Sequence, residues 1–435
     1  MSLQFILGGS GSGKSTYIFD KMIERSIQEE DKNFWILVPD QFTMQTQMDF
    51  VTRHPRGGIL NIDVLSFSRL SHRILEETGG GKEPVLDDTG KSLVLRKVAE
   101  ELKEEVPVLG GNLKKLGYIH EVKSAISEFM QYGIDEKEME KMLQFAGKRG
   151  GLYGKLKDLG VLYQGFHHYI RDKFITTEET YDRLASQLEK SKLIRNSVIV
   201  LDGFTGFTPI QNRVIEKFMT LSEEVIVTVT IDKKEMERQE QEQQQLFSLS
   251  KKTMNVMEKL AKEHKIEIKP RIWMEEEGKR YVDSPGLAHL EKNLFRYPYK
   301  SKSGNMEEIS IWEAPTMECE VKAACAEIRR LLEEGWCYRD IAVITGDLGV
   351  YGSQIEEVFE DYEIPVFMDQ TRKITLNPFI EYIRSAIQIL VKQFSYESMF
   401  HYLRSGMVEI DRETIDKLEN YCLAYGIKGK KDNRS

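Results

Sequence analysis

Residues 8–15 read GGSGSGKS, and this octapeptide constrains the fold more than any other stretch of the chain. A phosphate is held by several backbone N–H groups that converge on one point, and side chains would obstruct that approach. Gly8, Gly9, Gly11 and Gly13 clear the path and admit unusual backbone angles, with Ser10 and Ser12 between them. In this pattern Lys14 reaches the outer phosphates, and the hydroxyl of Ser15, followed by Thr16, serves a bound Mg2+. The flanks supply the required context. Leu3–Leu7 is a short apolar strand, and from Thr16 to Gln28 apolar residues fall at 18, 19, 22, 23 and 27, a helical spacing. Strand, loop and helix in that order set the phosphates on a helix N-terminus, where backbone dipoles favour an anion. The pattern predicts a site for ATP and Mg2+ on an α/β domain.

Further strands are expected at FWILVPD (34–40), LNIDVLSFSRL (60–70, running into a helix), NSVIVLDGF (196–204) and EEVIVTVTID (223–232). Strands alternating with helices imply a parallel sheet. Residues 85–190 are helical, charged and poor in strand signals, which marks an inserted helical domain. The division that follows assigns 1–84 and 191–235 to the phosphate-binding domain and 236–305 to a helical segment and linker, whose charge run 233–264 reads as a solvated face. Residues 306–376 begin a second α/β domain, with strands expected at EEISIWEAP and DIAVITGD (340–347), and 377–435 are helical. No fold-sized unit follows residue 376, so the chain is expected to be part of a longer protein.

Composition excludes several classes. Of 435 residues 40% are apolar and 30% charged, and no run approaches the roughly 20 apolar residues of a membrane span. With no basic-then-apolar leader, a cytoplasmic protein without a membrane partner is expected. Cys319, Cys325, Cys337 and Cys422 form no CxxC pair and read as reduced thiols. The net charge of −9 means that any nucleic acid must be met by a local patch.

A phosphate cradle needs a second carboxylate at the end of a neighbouring strand. VIVLD (198–202) offers Asp202, 187 residues after Ser15, either as part of the Mg2+ shell with Ser15 or as an ordinary strand-end residue. Nucleotide hydrolysis also needs a base for water. The next residue is Gly203, Phe204 and Phe207 cannot take a proton, and Glu216 lies on the following helix. His167 and His168 read as surface or core histidines rather than ligands.

The segments ILVPDQFT, VLSFSRLSHRIL, VIVLDGFTGFTPIQ and YRDIAVITGD…IEEVFEDYEIPVFMD fall in the order of superfamily-one helicase motifs. As a set, over residues 3 to about 425, they resemble the AddB component of bacterial AddAB-type helicase–nucleases, kin to RecB and RecC. The resemblance implies tandem parallel-sheet domains of the P-loop superfamily-one helicase type with an inserted helical domain. It implies a heterodimer with an AddA-type helicase–nuclease subunit that acts on single- and double-stranded DNA ends, resecting breaks for recombination and repair. In the full-length family protein it also implies Chi recognition and a C-terminal 5′–3′ exonuclease with an iron–sulfur cluster. None of the four cysteines here is assigned to that cluster.

Three departures bear on activity: Gly203 stands where active relatives carry glutamate, Gly346 where they carry an arginine on the γ-phosphate, and only seven residues precede Gly8, leaving no room for an adenine-reading helix. The resemblance therefore implies a nucleotide-holding, non-motor component, with an active ATPase or kinase and a scaffold with a vestigial site as the alternatives. By the same resemblance single-stranded DNA would meet Gln41, Phe42 and Thr43 after the second strand and Ser66, Phe67 and Arg69 after the third. Phe42 and Phe67 read rather as core residues.

Overall fold

The computed structural model describes residues 1–80, 83–113, 115–147, 149–237, 245–274, 279–296, 298–304, 306–368, 374 and 377–429. The chain forms two compact units, Met1–Ile309 and Ser310–Ser435.

The first unit is built on one buried sheet. Its elements begin β1 (Ser2–Gly8), α1 (Lys14–Gln28), β2 (Asn33–Leu37), α2 (Thr43–Arg53), β3 (Ile62–Leu65) and α3 (Phe67–Thr78). An excursion follows: β4 (Val85–Leu86), α4 (Asp88–Glu101), α5 (Leu116–Tyr132), α6 (Glu136–Ala146), α7 (Gly150–Ile170), β5 (Ile175–Thr176) and α8 (Thr177–Gln187). The chain then returns as β6 (Ser197–Leu201), α9 (Pro209–Leu221), β7 (Glu224–Thr230), α10 (Lys233–Glu237), α11 (Ser248–Glu263), β8 (Glu267–Ile268), β9 (Ile272–Trp273) and α12 (Pro285–Asn293). The sheet order is β3-β2-β6-β7-β1, with β8 and β9 both on the far side of β1, and every ladder is parallel.

A parallel sheet covered on both faces demands apolar residues at nearly every strand position, and β1 is buried along its whole length. Alternation divides the side chains between two cores. Leu3, Phe5 and Leu7 face α3, α8, α9 and α11 through Phe67, Leu184, Phe218 and Met257. Ile6, Ile36 and Val200 face α1 and α2 through Ile18, Met22 and Phe50. The TPIQ of the long motif starts α9: Thr208 accepts from Gln211 N at 3.3 Å, Gln211 accepts from Thr208 N at 3.0 Å, and Pro209 occupies the first turn.

The excursion has its own core, in which Leu95, Val98, Ile126, Leu162 and Phe166 meet. It leaves and re-enters through the parallel pair β4–β5. Lys91 of α4 donates to both carboxylate oxygens of Glu178 at 2.8 Å, a buried pair that fixes the helices to α8. Not all of the charge run 233–264 is a wet face. Met254, Met257 and Ala261, at helical spacing on α11, are fully buried against the sheet in line with a buried Lys251, while Lys252, Lys259, Lys262 and Glu263 are exposed. Residues 238–244 of that run lie outside the described residues.

The second unit contains α13 (Met317–Glu333), α14 (Leu348–Asp361), α15 (Pro378–Val391), α16 (Tyr396–Leu403) and α17 (Arg412–Ala424). Val321, Cys325 and Ile328 of α13 pack on Ile355, Val358 and Phe359 of α14. The strands expected at EEISIWEAP and 340–347 form no ladder among the described residues. An apolar run becomes a strand only against a partner edge, and here Ile311 and Ile344 stand 95% and 93% exposed. No helix among the described residues is long and apolar enough to cross a membrane.

Glu224, at the start of β7 and 5% exposed, joins three parts of the first unit. It accepts from Arg25 of α1 and from Lys269, just past β8, each at 2.7 Å. Burial alone would raise its pKa, but the bonds from Lys269 and Arg25 outweigh it and hold the carboxyl below its usual range. A carboxyl depressed by folding stabilises the fold above its unfolded pKa, about 4.3, and that contribution is lost as pH falls through the folded value. We expect Glu224→Gln to cost about 2 kcal/mol at pH 7 in urea unfolding. The difference from wild type should shrink steadily as the pH is lowered below about 4. A difference that stays constant with pH would show that packing, not charge, is responsible.

Candidate functional site

β1 ends at Gly8 and α1 begins at Lys14, so the loop between them closes directly over a helix N-terminus. Gly11 and Gly13 have φ of 70° and 89°, left-handed values that glycine adopts without strain. At Gly11 a Cβ would also come within 2.8 Å of the Tyr281 ring. Lys14 is 9% exposed and arches back over the loop, donating to Gly8 O at 3.0 Å and Gly9 O at 2.7 Å. Burial pushes its ammonium pKa down, while Asp202 and Glu291 pull it up. Ser12 Oγ is buried with no hydrogen-bond partner among the described residues. Ser10 N donates to Glu291 Oε1 at 3.1 Å. Ser15 and Thr16 lie on the first turn of α1.

Asp202 follows β6 and is 6% exposed. Ser15 Oγ donates to its Oδ1 at 3.2 Å, and Thr228 of β7 donates to the same oxygen at 2.5 Å. The structure thus brings Ser15 and Asp202 together. A hydroxyl and a carboxylate converging at the mouth of the cradle are hard oxygen donors that fit Mg2+. Beside them opens a hollow of about 940 Å3, lined by residues 10–11 and 13–16 with Asp202, Phe204, Thr230 and Arg280. Its size suits a nucleotide-scale ligand.

Among the described residues no base for water neighbours Asp202. Gly203 has φ of 77°, a backbone shape that favours glycine over glutamate. Phe204 and Phe207 pack against each other at 5.0 Å and on Phe67 at 5.5 and 6.1 Å. Glu216 on α9 is bonded to His264 at 2.6 Å and does not line the hollow. Asp20 lines it but faces Arg53 at 3.2 Å. Gly346 lies in the second unit.

The six residues expected to meet DNA divide into two sets. Gln41, Phe42 and Arg69 are exposed, Phe42 by 48%. Thr43 is buried and donates to Asp40 O at 3.0 Å at the start of α2. Ser66 is buried and caps α3, its hydroxyl accepting from Arg69 N at 3.4 Å. Phe67 is 4% exposed inside a cluster with Tyr181, Phe204, Phe207 and Phe218. Of the two readings for Phe67 the core one describes its position, because a ring enclosed on all sides cannot stack on a base. Since every strand is parallel, the cradle after β1, Gln41 and Phe42 after β2, and Arg69 after β3 all lie at the carboxyl edge of one sheet, where open α/β sheets bind ligands.

Sequence reasoning missed Thr228, Arg280, Tyr281 and Glu291. Thr228 had a signal, a buried hydroxyl within the apolar run VIVTV. Arg280, Tyr281 and Glu291 had none, since only the fold returns their segment to the loop.

The sequence is similar to those of known proteins. A family model described as ADDB, N-terminal, matches residues 5–291. The chain is 44% identical over 99% of its length to the B component of the ATP-dependent helicase/deoxyribonuclease of Lachnoclostridium phytofermentans, covering 38% of that protein. It is 36% identical to the protein of the same name from Clostridium kluyveri and 33% identical to that from Acetivibrio thermocellus, again over 99% of its own length and 37% of theirs. It therefore spans less than two-fifths of the length of these relatives. With a family model covering well over half of its residues, the chain belongs to the AddB family.

Proposed function

We propose that this chain is the nucleotide-holding, non-motor portion of a helicase–nuclease component that works on DNA ends in break repair with an AddA-type partner. The observation that carries the reading is the pairing of a complete cradle with an incomplete catalytic set. Lys14, Ser15 and Asp202 are assembled within hydrogen-bond reach of the loop or of one another, whereas the residue after Asp202 is a glycine in left-handed conformation. The relatives' name, which makes them one component of an ATP-dependent helicase/deoxyribonuclease, supports the partner and the DNA substrate. The proposal places ATP on the loop amides and Lys14, and Mg2+, which would neutralise phosphate charge when bound, at Ser15 and Asp202. Lys14 positions the outer phosphates, and Thr228 holds Asp202 in orientation. The reading assigns neither nuclease chemistry, nor an iron–sulfur cluster, nor Chi recognition to these 435 residues.

Two experiments test it. Calorimetry should show Mg-ATP binding that Lys14→Ala weakens by at least roughly tenfold, the loss of a charge-assisted contact. Turnover should be far below about one per second, a typical lower bound for a working enzyme. Turnover at that level that vanishes in Lys14→Ala would overturn the non-motor reading. For DNA, binding should be weak and salt-sensitive, because a chain of net charge −9 must rely on few phosphate contacts. Arg69→Ala should weaken all sequences about equally and lower the salt slope by roughly one. An unchanged slope with a lower melting temperature would place Arg69 among the structural residues instead.

A further inference from the structure

Glu291 and Ser10 are 281 residues apart in the chain, yet the Glu291 carboxylate accepts the Ser10 N–H at 3.1 Å. A Cβ built at Gly9 would come 3.0 Å from the same oxygen. The carboxylate therefore lies against the middle of the glycine-rich loop, on an amide of the kind that binds phosphate in such loops. An oxygen anion on that N–H does what a phosphate oxygen would do, and two anions cannot share the position at full charge. Ser12 Oγ, buried in the same loop and without a partner among the described residues, donates no hydrogen bond to this carboxylate, so Glu291 satisfies the loop only in part.

The segment carrying Glu291 is shallowly held. In α12 only Gly286 is buried, and Leu290 and Leu294 are 40% and 46% exposed. It is tethered by isolated bonds: Arg280 N to Gly11 O at 3.4 Å, Gly286 N to Glu308 Oε1 at 3.2 Å and Arg296 to Asp232 at 3.2 Å. A helix anchored so lightly can be displaced without opening the sheet core, since its large side chains contribute little buried area.

We propose that Glu291 is an internal stand-in for nucleotide phosphate: its carboxylate and a phosphate oxygen compete for the same loop N–H, so that occupancy of the cradle is read out as displacement of α12. The inference rests on the nucleotide-holding reading above. Coupling is reciprocal, so whatever holds α12 on the loop weakens nucleotide by the same factor.

The test uses the full chain and two probes, Mg-ATP and inorganic pyrophosphate, with calorimetry and amide hydrogen exchange. Glu291→Ala should bind both probes about tenfold more tightly than wild type, the scale of one charge-assisted hydrogen bond on a half-exposed group. Glu291→Gln, which keeps the size and loses the charge, should fall between them. In wild type either probe should raise exchange in α12; in Glu291→Ala exchange should already be raised without ligand. Equal affinities for wild type and Glu291→Ala, or weaker binding by the variant, would overturn the inference while the nucleotide reading stands. Binding of neither probe by any variant would overturn the nucleotide reading and this inference with it. Lys14→Ala added to Glu291→Ala should abolish the gain, and a gain that persists would place the probe outside the cradle and overturn the inference.

Discussion

The insertion of β7 between β1 and β6 is the constraint on which the site depends. Neighbouring strands lie about 4.8 Å apart, so the ends of β1 and β6 are separated by roughly twice that distance. The loop after β1 and the carboxylate after β6 could not meet directly. Ser15, on the first turn of α1, spans the gap to Asp202, and Thr228 on the intervening strand holds the carboxylate from below. The register Ile6↔Thr228 and Leu201↔Val227 puts that hydroxyl one residue past the end of β6 and two residues short of the end of β1. A parallel sheet shifted by one residue would send Thr228 to the opposite face and leave Asp202 without it.

The same geometry explains why a holding site differs so little from a working one. A phosphate cradle is satisfied by local features: glycines, a helix N-terminus and one lysine. Hydrolysis needs a further group placed against water, and the position after Asp202 is where the chain must turn away from the sheet. With φ of 77° at Gly203, a side chain there would cost about 1–2 kcal/mol in backbone strain. Phe204 and Phe207 then commit the following turn to the aromatic core around Phe67. The turn is built for packing rather than for proton transfer.

How far this was legible in the sequence follows from the range of each interaction. The cradle, β1, α1 and the strand at 197–201 were readable because each is specified within a dozen residues, by spacing or by an unbroken apolar run. The Ser15–Asp202 pairing was expected from a motif and became geometry only through strand order. The buried stripe of α11 was obscured by its many charges, although Met254, Met257 and Ala261 carry the helical period. The two-residue strands β8 and β9 escaped because Pro270 separates them and neither is long enough to show alternation. Segments 307–315 and 340–347 have strand composition, but composition does not supply a partner edge. Glu291 shows the limit most plainly, since nothing near it in sequence distinguishes it from the other glutamates of exposed helices.

The carboxyl edge of the sheet is also laced together. Asp202 N donates to Leu37 O at 3.0 Å, and Val38 N donates to Leu65 O at 3.0 Å. Pro39 lies 3.7 Å from the point where a Cβ of Gly203 would stand. Backbone bonds therefore run from the residue that faces the cradle, through the turn that presents Gln41 and Phe42, to the end of the strand that precedes Arg69. A buried parallel ladder of this kind does not stretch, and strands that moved would break bonds that nothing else in a dry core replaces. What can move at this edge is what rests upon it: α12, held by a few surface bonds, and the long side chains of Lys14 and Arg69. A site assembled this way holds the cradle, the turn after β2 and the end of β3 in a fixed mutual arrangement, and leaves movement to the elements lying over the sheet.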